Sequence, residues 1–169
     1  MSRVLYVLAC GAGPAEDVGE LATLAMADGW DVFVGATPAG WGFLDVPALA
    51  ELTGHQPRHD YSGRTSGWPH ADGIIVAPAT LNTVGKLAGA IADCWALSTL
   101  TEAMGHGVPI VMAPHTNPAL AAHPRFRQNV TDLCSWGITV LEPRPERPWM
   151  VPWSTSLAAL DRATDSPPG

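Results

Sequence analysis

Apolar runs of strand-forming residues alternate with segments of helical character along this chain. The apolar runs typical of buried strands cover residues 3–9, 30–36, 73–77, 108–113 and 138–141. Helical patterns cover residues 15–28, 46–52, 82–105 (as one or two helices), 126–136 and 154–163. Buried strands that alternate with helices predict an α/β fold, a three-layer αβα domain with a Rossmann-like, doubly wound parallel sheet.

The 169 residues suit one domain, which we predict to span residues 1–164 and to be followed by a frayed tail at 165–169. Residues 55–69 and 143–152 are rich in turn formers and predict loops. No apolar run approaches the roughly 18 residues of a membrane span. Only one positive charge precedes the first apolar run, which favours a strand over a signal peptide and predicts a cytoplasmic protein.

Charged residues make up only 15% of the chain, which predicts a homo-oligomer in which neighbouring copies cover much of the surface. The net charge is −7 and no basic stripe exists, so we expect no nucleic acid or acidic membrane surface as partner. Cys10, Cys94 and Cys134 are odd in number and far apart, which predicts reduced thiols and neither a disulfide framework nor a metal site.

Ligands bind beyond the carboxyl ends of the strands in such sheets, so the loops after Ala9, Ala36, Ala77 and Ala113 are the candidate site. The first loop contains Gly11-Ala12-Gly13, which is either a tight turn or a backbone cradle for a phosphate. A dinucleotide fingerprint is disfavoured, because its third glycine would fall at Glu16 and residues 35–39 contain no acid for the ribose. In the second loop Thr37 offers a hydroxyl, although Thr before Pro is also common turn chemistry.

The third loop places small residues and hydroxyls where a strand turns into a helix, from Pro78 through Thr83 to Lys86. Its polar side chains are equally consistent with two roles: Thr80 or Asn82 as a helix N-cap, or donors to a flat ring ligand. The fourth loop, Pro114-His115-Thr116-Asn117, presents an amide that is either a turn initiator before Pro118 or a ligand-binding group.

These segments resemble one family. Residues 78–83 resemble the "PASANT" segment of the homo-oligomeric flavin-containing cysteine decarboxylases, and Lys86 with Ile91-Ala92-Asp93 resembles its continuation. Residues 114–117 resemble the "PAMN" segment of the same family, with Thr116 in place of the methionine. The glycine turn after the first strand and Thr37 match in position, so the resemblance covers residues 3–142.

The resemblance implies an FMN-binding lyase that assembles as a trimer or a dodecamer. The family's members act on small thiol substrates or on a peptide C-terminus, oxidising the thiol of a cysteine to a thioaldehyde so that its carboxylate can leave. By analogy the phosphate would be held by Gly11, Gly13 and Thr37. The flavin would be lined by Pro78, Ala79, Thr80, Asn82 and Thr83. Asn117 would be the catalytic residue that binds the substrate carboxylate.

One departure leaves the activity open. The family's catalytic histidine corresponds to a position around Arg64, where no histidine stands, and His59 and His70 only flank it. The alternative is therefore an FMN-binding redox or accessory flavoprotein without decarboxylase activity. Trp41 and Trp68 fall in loops at the expected edge of the sheet, where each could stack on a ring or instead pack as an apolar side chain.

Overall fold

The computed structural model describes residues 2–61, 67–142 and 150–165. The predicted tail beyond Asp165, most of the proline-rich loop and the Arg64 position lie outside the described residues. Within them, no helix is both long enough and apolar enough to cross a membrane. The described part forms one sheet with helices on both faces.

The sheet is parallel throughout, because each apolar run forms a strand that returns through a helical crossover. Its order is β2-β1-β3-β4-β5, and the residue ranges are Arg3–Ala9 (β1), Trp30–Ala36 (β2), Gly73–Ala79 (β3), Ile110–Pro114 (β4) and Thr139–Val140 (β5). All seven residues of β3 are buried, as expected for a central strand covered on both faces. The predicted three-layer, doubly wound fold is confirmed.

A 3-10 helix, Gly13–Asp17, precedes the first α-helix. The α-helices of the described residues are Val18–Ala27 (α1), Pro38–Trp41 (α2), Val46–Thr53 (α3), Leu81–Ala88 (α4), Trp95–Gly105 (α5), Pro118–Ala121 (α6), Pro124–Ser135 (α7) and Trp153–Asp165 (α8). One core cluster packs α1, α3 and α8 against one face of the sheet. A second cluster packs α4, α5 and α7 against the other face. Fully buried Leu5 and Leu8 point into the first and second clusters respectively, because successive strand residues face opposite ways.

The structure decides one point that the sequence left open and differs from the prediction at several others. The span 82–105, predicted as one or two helices, is two helices, because α4 ends at Ala88 and Ala90 takes a positive φ of 53°. Strand β3 runs two residues further than predicted, to Ala79. The single-turn helices α2 and α6 occur where the sequence predicted turns, since Thr-Pro and Asn-Pro supply an N-cap followed by a proline suited to the first turn.

The strand register brings the four candidate loops to one edge. Ala9 pairs with Ala36, and Ala79 pairs with Pro114, so all four strands end at the same level. The Cys10 amide donates to the Pro78 carbonyl at 3.0 Å, which joins the end of β1 to the end of β3.

Candidate functional site

The strand order reverses between β1 and β3, because β2 lies on one side of β1 and the later strands lie on the other. A cavity of about 580 Å³ opens at this point, beyond the strand ends. This is the position at which doubly wound sheets bind ligands, and the volume falls within the usual range for small-molecule sites. The cavity is lined by Gly11, Ala12, Thr37, Pro38, Ala39, Thr80, Leu81, Asn82, Thr83, Lys86, Asp93, Cys94, Leu97, His115, Thr116, Asn117 and Leu120.

Three polar side chains in this cavity are helix N-caps. The Thr37 hydroxyl accepts a hydrogen bond from the Gly40 amide at 3.1 Å, and Thr80 accepts one from Thr83 at 3.4 Å. The side-chain oxygen of Asn117 accepts from the Leu120 amide at 2.9 Å. Each cap uses an oxygen as acceptor. This leaves the Thr37 hydroxyl hydrogen and the Asn117 amide NH₂ to donate elsewhere, while the Thr80 hydroxyl also pairs with that of Thr83. Capping and ligand binding are therefore compatible roles for these residues.

Behind the third loop lies a small buried polar cluster. The hydroxyl oxygens of Thr80 and Thr83 are 3.2 Å apart, so one hydroxyl donates to the other. The Cys10 thiol is within hydrogen-bonding reach of both threonines. Burial raises the pKa of Cys10 above its ordinary value, and the hydrogen bond from Thr83 only partly offsets this effect. The thiol is therefore neutral and serves as a packed, hydrogen-bonded support under the loop.

The close approach of the first two loops explains why a glycine stands at position 11. A Cβ atom on Gly11 would lie 2.8 Å from the Ala39 Cβ and 3.0 Å from its carbonyl oxygen, distances at which the second loop must shift. Glycine at this position allows the loops after β1 and β2 to meet at the cavity.

The one lysine of the chain does not place a free charge in the cavity. Lys86 Nζ lies 2.6 Å from Asp93 Oδ2, and the two residues form one wall. Because this pair is neutralised, the neutral polar groups of the lining, among them Thr37, Asn82 and Asn117, are the ones available for recognition. Such a cavity suits a ligand that is bound by hydrogen bonds and apolar contact.

The structure brings six of the nine predicted site residues to the cavity wall: Gly11, Thr37, Thr80, Asn82, Thr83 and Asn117. The other three lie behind or beside it. Pro78 and Ala79 are buried within β3, where the Pro78 carbonyl accepts from Cys10 and the Ala79 carbonyl accepts from His115. Gly13 is exposed in the 3-10 helix with nothing within 4 Å of a Cβ placed there. A role in binding for these three stays a prediction.

Sequence reasoning missed two lining side chains. His115 stands inside the quoted fourth segment, directly after the last residue of β4, and Cys94 caps the start of α5. Partial burial lowers the pKa of His115 below 6.5, so its imidazole is neutral at pH 7. The signal for both residues was their position next to a strand end or a helix start that faces the switch point.

Trp41 and Trp68 are placed away from this cavity. Trp41 stacks on His59 with the ring centroids 4.0 Å apart, and both line a separate cavity of about 470 Å³ with Trp68. Trp68 packs edge-on against Tyr6 and Trp95 at centroid distances of 4.9 and 5.1 Å. In the described part of the chain, Trp68 thus packs among aromatic rings, with the Arg58 guanidinium 5.5 Å from its ring centroid.

The fold and the cavity together define an α/β protein with a candidate ligand site at the switch point of a doubly wound sheet. The chain belongs to the Flavoprotein family, whose model matches residues 6–163. The resemblance inferred from the third and fourth loops is confirmed by this match.

Individual relatives agree with the family assignment. The coenzyme A biosynthesis bifunctional protein CoaBC of Thermococcus kodakarensis is 33% identical over 100 residues, which are 59% of this chain and 24% of that protein. Phosphopantothenoylcysteine decarboxylase of Arabidopsis thaliana is 31% identical over 77 residues, which are 46% of this chain and 36% of that protein. The alignments thus span less than two fifths of either curated relative.

Among solved structures, the FMN-dependent cysteine decarboxylase SpaF superposes with a TM-score of 0.78 at 27% identity, covering 96% of this chain and 97% of the other. The match extends over nearly the whole of both chains, so this chain shares the fold of that protein.

Proposed function

We propose that this protein binds FMN in the switch-point cavity and catalyses the oxidative decarboxylation of a cysteine-like thiol acid or of a peptide C-terminus. The observation that carries the proposal is the convergence of Thr37, Thr80 and Asn117 on one cavity, where each caps a helix with its acceptor and where Thr37 and Asn117 keep a donor for a ligand. The family match and the likeness to an FMN-dependent cysteine decarboxylase support it.

The lining fits a flavin. The cavity is bounded by small or apolar residues such as Ala39 and Leu97, which allow a flat ring to approach the backbone. Hydroxyl and amide donors face it, as ring carbonyl oxygens and phosphate oxygens require. In this assignment Gly11, Gly13 and Thr37 hold the phosphate. The third loop holds the ring, with Pro78 and Ala79 supporting Thr80, Asn82 and Thr83 from behind.

FMN, when bound, supplies the two-electron oxidation of the substrate thiol. The chain's own residues bind and orient the substrate. Asn117 directs its amide NH₂ toward the substrate carboxylate, while its oxygen stays on the Leu120 amide and fixes the rotamer. A neutral amide binds the carboxylate without the strong charge pairing that would stabilise it against leaving, which suits a decarboxylation.

A second candidate function is a flavin-binding redox or accessory role without decarboxylation. One observation favours it: residues 63–66, where the family's histidine is expected, read Gly-Arg-Thr-Ser. In that case the cavity would bind FMN as above, and no carbon dioxide would be released.

The experiment is reconstitution with excess FMN, followed by desalting, absorbance spectroscopy and a carbon dioxide assay with N-acetylcysteine and short peptides ending in cysteine. Retained flavin absorbance with carbon dioxide release supports the decarboxylase. Retained flavin without release supports the accessory role. A protein that stays colourless after desalting would overturn both proposals.

We further propose that copies of the chain assemble into a trimer or dodecamer in a reducing, cytoplasmic environment. Ile91 and Leu120 are large apolar side chains that are 48% and 46% exposed, and both line a second cavity of about 510 Å³ that adjoins the first. Exposed apolar surface beside a ligand site is typical of an interface. The free thiol of exposed Cys134 suits a reducing compartment. Native mass spectrometry that found only monomers would contradict the assembly.

A further inference from the structure

The position of the six histidines, all within the described residues, narrows the choice of a base in the proposed reaction. His115 alone lines the switch-point cavity. His59 and His70, which flank the position of the family's histidine in sequence, line other cavities. His59 stacks on Trp41, and His70 lies edge-on to His106 with centroids 6.1 Å apart.

The remaining histidines are occupied elsewhere. His55 Nε2 lies 2.6 Å from Asp31 Oδ1, near the start of β2 and thus far from its carboxyl end. His123 caps α7, with Nδ1 accepting from the Arg125 amide at 3.1 Å. Neither ring is available to a ligand in the switch-point cavity without breaking a contact that it makes.

A backbone hydrogen bond holds His115 at the cavity, and its imidazole ring makes no polar contact with another described side chain. Its amide donates to the Ala79 carbonyl at 2.8 Å, which fixes the start of the fourth loop against the end of β3. Its imidazole forms no ion pair or side-chain hydrogen bond with any described residue. Asn117 follows two residues later and lines the same wall, so one short segment offers a basic nitrogen and an amide together.

Burial keeps the His115 imidazole neutral, and the charged residues of the described lining are paired with each other. The charged groups in the lining are Lys86 and Asp93, which neutralise each other at 2.6 Å. The other titratable groups at the cavity are the thiol of Cys94 in the lining and that of Cys10 behind Thr83. Burial lowers the pKa of His115 below 6.5, and a neutral imidazole is the form that accepts a proton.

We propose that His115 is the general base that deprotonates the substrate thiol, replacing the histidine that the family carries near position 64. The inference rests on the proposed function. The substrate S–H bond breaks, its proton passes to an imidazole nitrogen of His115, and the electron pair stays on sulfur as a thiolate. Asn117 meanwhile holds the carboxylate of the same substrate, so the two ends of a cysteine unit are recognised by residues two positions apart.

The first test observes the proton directly by NMR titration of the histidine ring resonances in the FMN-loaded protein. The His115 resonance is assigned by its loss in His115→Gln. We expect a titration midpoint below pH 6.5. At a pH above that midpoint, N-acetylcysteine should move the resonance to its protonated position, and N-acetylserine, which keeps the carboxylate and lacks the thiol, should not. An unmoved resonance, or an equal response to both probes, would overturn the assignment.

The second test is the pH profile of carbon dioxide release. His115→Gln should retain FMN and lose about 100-fold in kcat/KM near pH 7, as expected for loss of a general base. Its rate should recover as the pH rises toward the thiol pKa of about 8.5, because solvent then supplies the thiolate. A residue that only shaped the cavity would show no such recovery. His106→Gln, at an exposed helix end, is the matched control and should behave as wild type.

The outcomes separate the two proposals. If wild-type protein releases carbon dioxide and His115→Gln does so equally at every pH, the assignment of His115 fails and the proposed function stands. If FMN-loaded wild type releases none from N-acetylcysteine or cysteine-terminated peptides, decarboxylation fails, and the NMR response to the thiol alone decides whether His115 is a base.

Discussion

The hydroxyl oxygens of Thr80 and Thr83 lie 3.2 Å apart at the start of α4, directly above the buried Cys10 thiol. The Thr80 hydroxyl oxygen accepts a hydrogen bond from the Thr83 amide, and one of the two hydroxyls donates to the other. The two side chains therefore fix each other's rotamers. The loop that faces the cavity is therefore preorganised before any ligand binds, which lowers the cost of ordering it on binding.

Thr80→Val is the first prediction. Valine keeps the shape and removes both the cap acceptor and the donor. We expect the free energy of unfolding to fall by about 1 kcal/mol, from the lost cap. We expect FMN affinity to fall by about 10-fold, from one lost hydrogen bond. Urea denaturation and fluorescence titration of FMN measure the two effects.

Two control variants separate the cap from the ligand contact. Thr80→Ser keeps the hydroxyl and should restore both properties. Asp45→Ala removes the N-cap of α3, where Asp45 accepts from the Ala48 amide at 3.1 Å, and it lies outside the cavity lining. It should lower stability by a similar amount and leave FMN affinity unchanged. Equal FMN affinity in Thr80→Val and wild type would contradict a ligand role for Thr80.

The sequence predicted the sheet and the edge that holds the site, because apolar periodicity and the carboxyl-end rule are local or general properties. It could not decide between cap and ligand for Thr80 and Asn117. Both roles require the same residue types at a helix start. Only three-dimensional placement shows that each acceptor is used in a cap, that Asn117 keeps its NH₂ donors and that the Thr80 hydroxyl pairs with Thr83.

Two other features depended on long-range geometry. The burial of Pro78 and Ala79 follows from β3 continuing to Ala79, which pairs with Pro114 after an irregularity in register. His115 looked like an ordinary loop residue, and its place in the cavity follows from the hydrogen bond of its amide to the end of β3. Neither pairing is encoded in a short segment of sequence.

Asn117→Asp is the second prediction. The substitution keeps the side-chain oxygen that accepts from the Leu120 amide, so the cap of α6 and the stability should be unchanged within about 0.5 kcal/mol. It replaces the NH₂ donors with a carboxylate that repels a substrate carboxylate. We expect a loss of about 100-fold in kcat/KM for N-acetylcysteine with FMN affinity retained, because a hydrogen bond to a charged group is worth about 1.5–3 kcal/mol and the substitution also introduces a like charge.

The comparison with Asn117→Ala tests the cause. Alanine removes the cap as well as the donors, so it should lower stability, yet it introduces no repulsion and should cost less activity than aspartate. If Asn117→Asp turns over N-acetylcysteine as fast as wild type, Asn117 does not bind the carboxylate.

Gly11→Ala is the third prediction. Its added Cβ would meet Ala39 at 2.8 Å and would push apart the loops after β1 and β2 that bound the cavity. We expect FMN affinity to fall by about 10-fold or more and the free energy of unfolding to fall by about 1–3 kcal/mol, the usual cost of overpacking. Gly42→Ala is the matched control, because nothing lies within 4 Å of a Cβ there. Unchanged FMN binding in Gly11→Ala would show that the cavity tolerates separated loops.

The fourth prediction concerns alkaline stability and Tyr6. Burial raises the pKa of Tyr6 to about 12, and its hydroxyl donates to the Pro69 carbonyl at 2.6 Å. In the unfolded chain a tyrosine ionises near pH 10. Between pH 10 and about 12 the folded protein therefore holds a proton that the unfolded chain has lost, and we expect stability to fall as the pH rises through this window, by up to about 3 kcal/mol.

Tyr6→Phe should remove this dependence. The variant loses the hydrogen bond to Pro69 and should be less stable by about 1 kcal/mol near pH 7, but its stability should decline less steeply above pH 10 because phenylalanine does not ionise. Urea midpoints measured across the alkaline range provide the slopes. Tyr61→Phe is the control, since Tyr61 is 68% exposed and its removal should leave the wild-type slope intact. Parallel slopes for Tyr6→Phe and wild type would show that Tyr6 ionises alike in the folded and unfolded states.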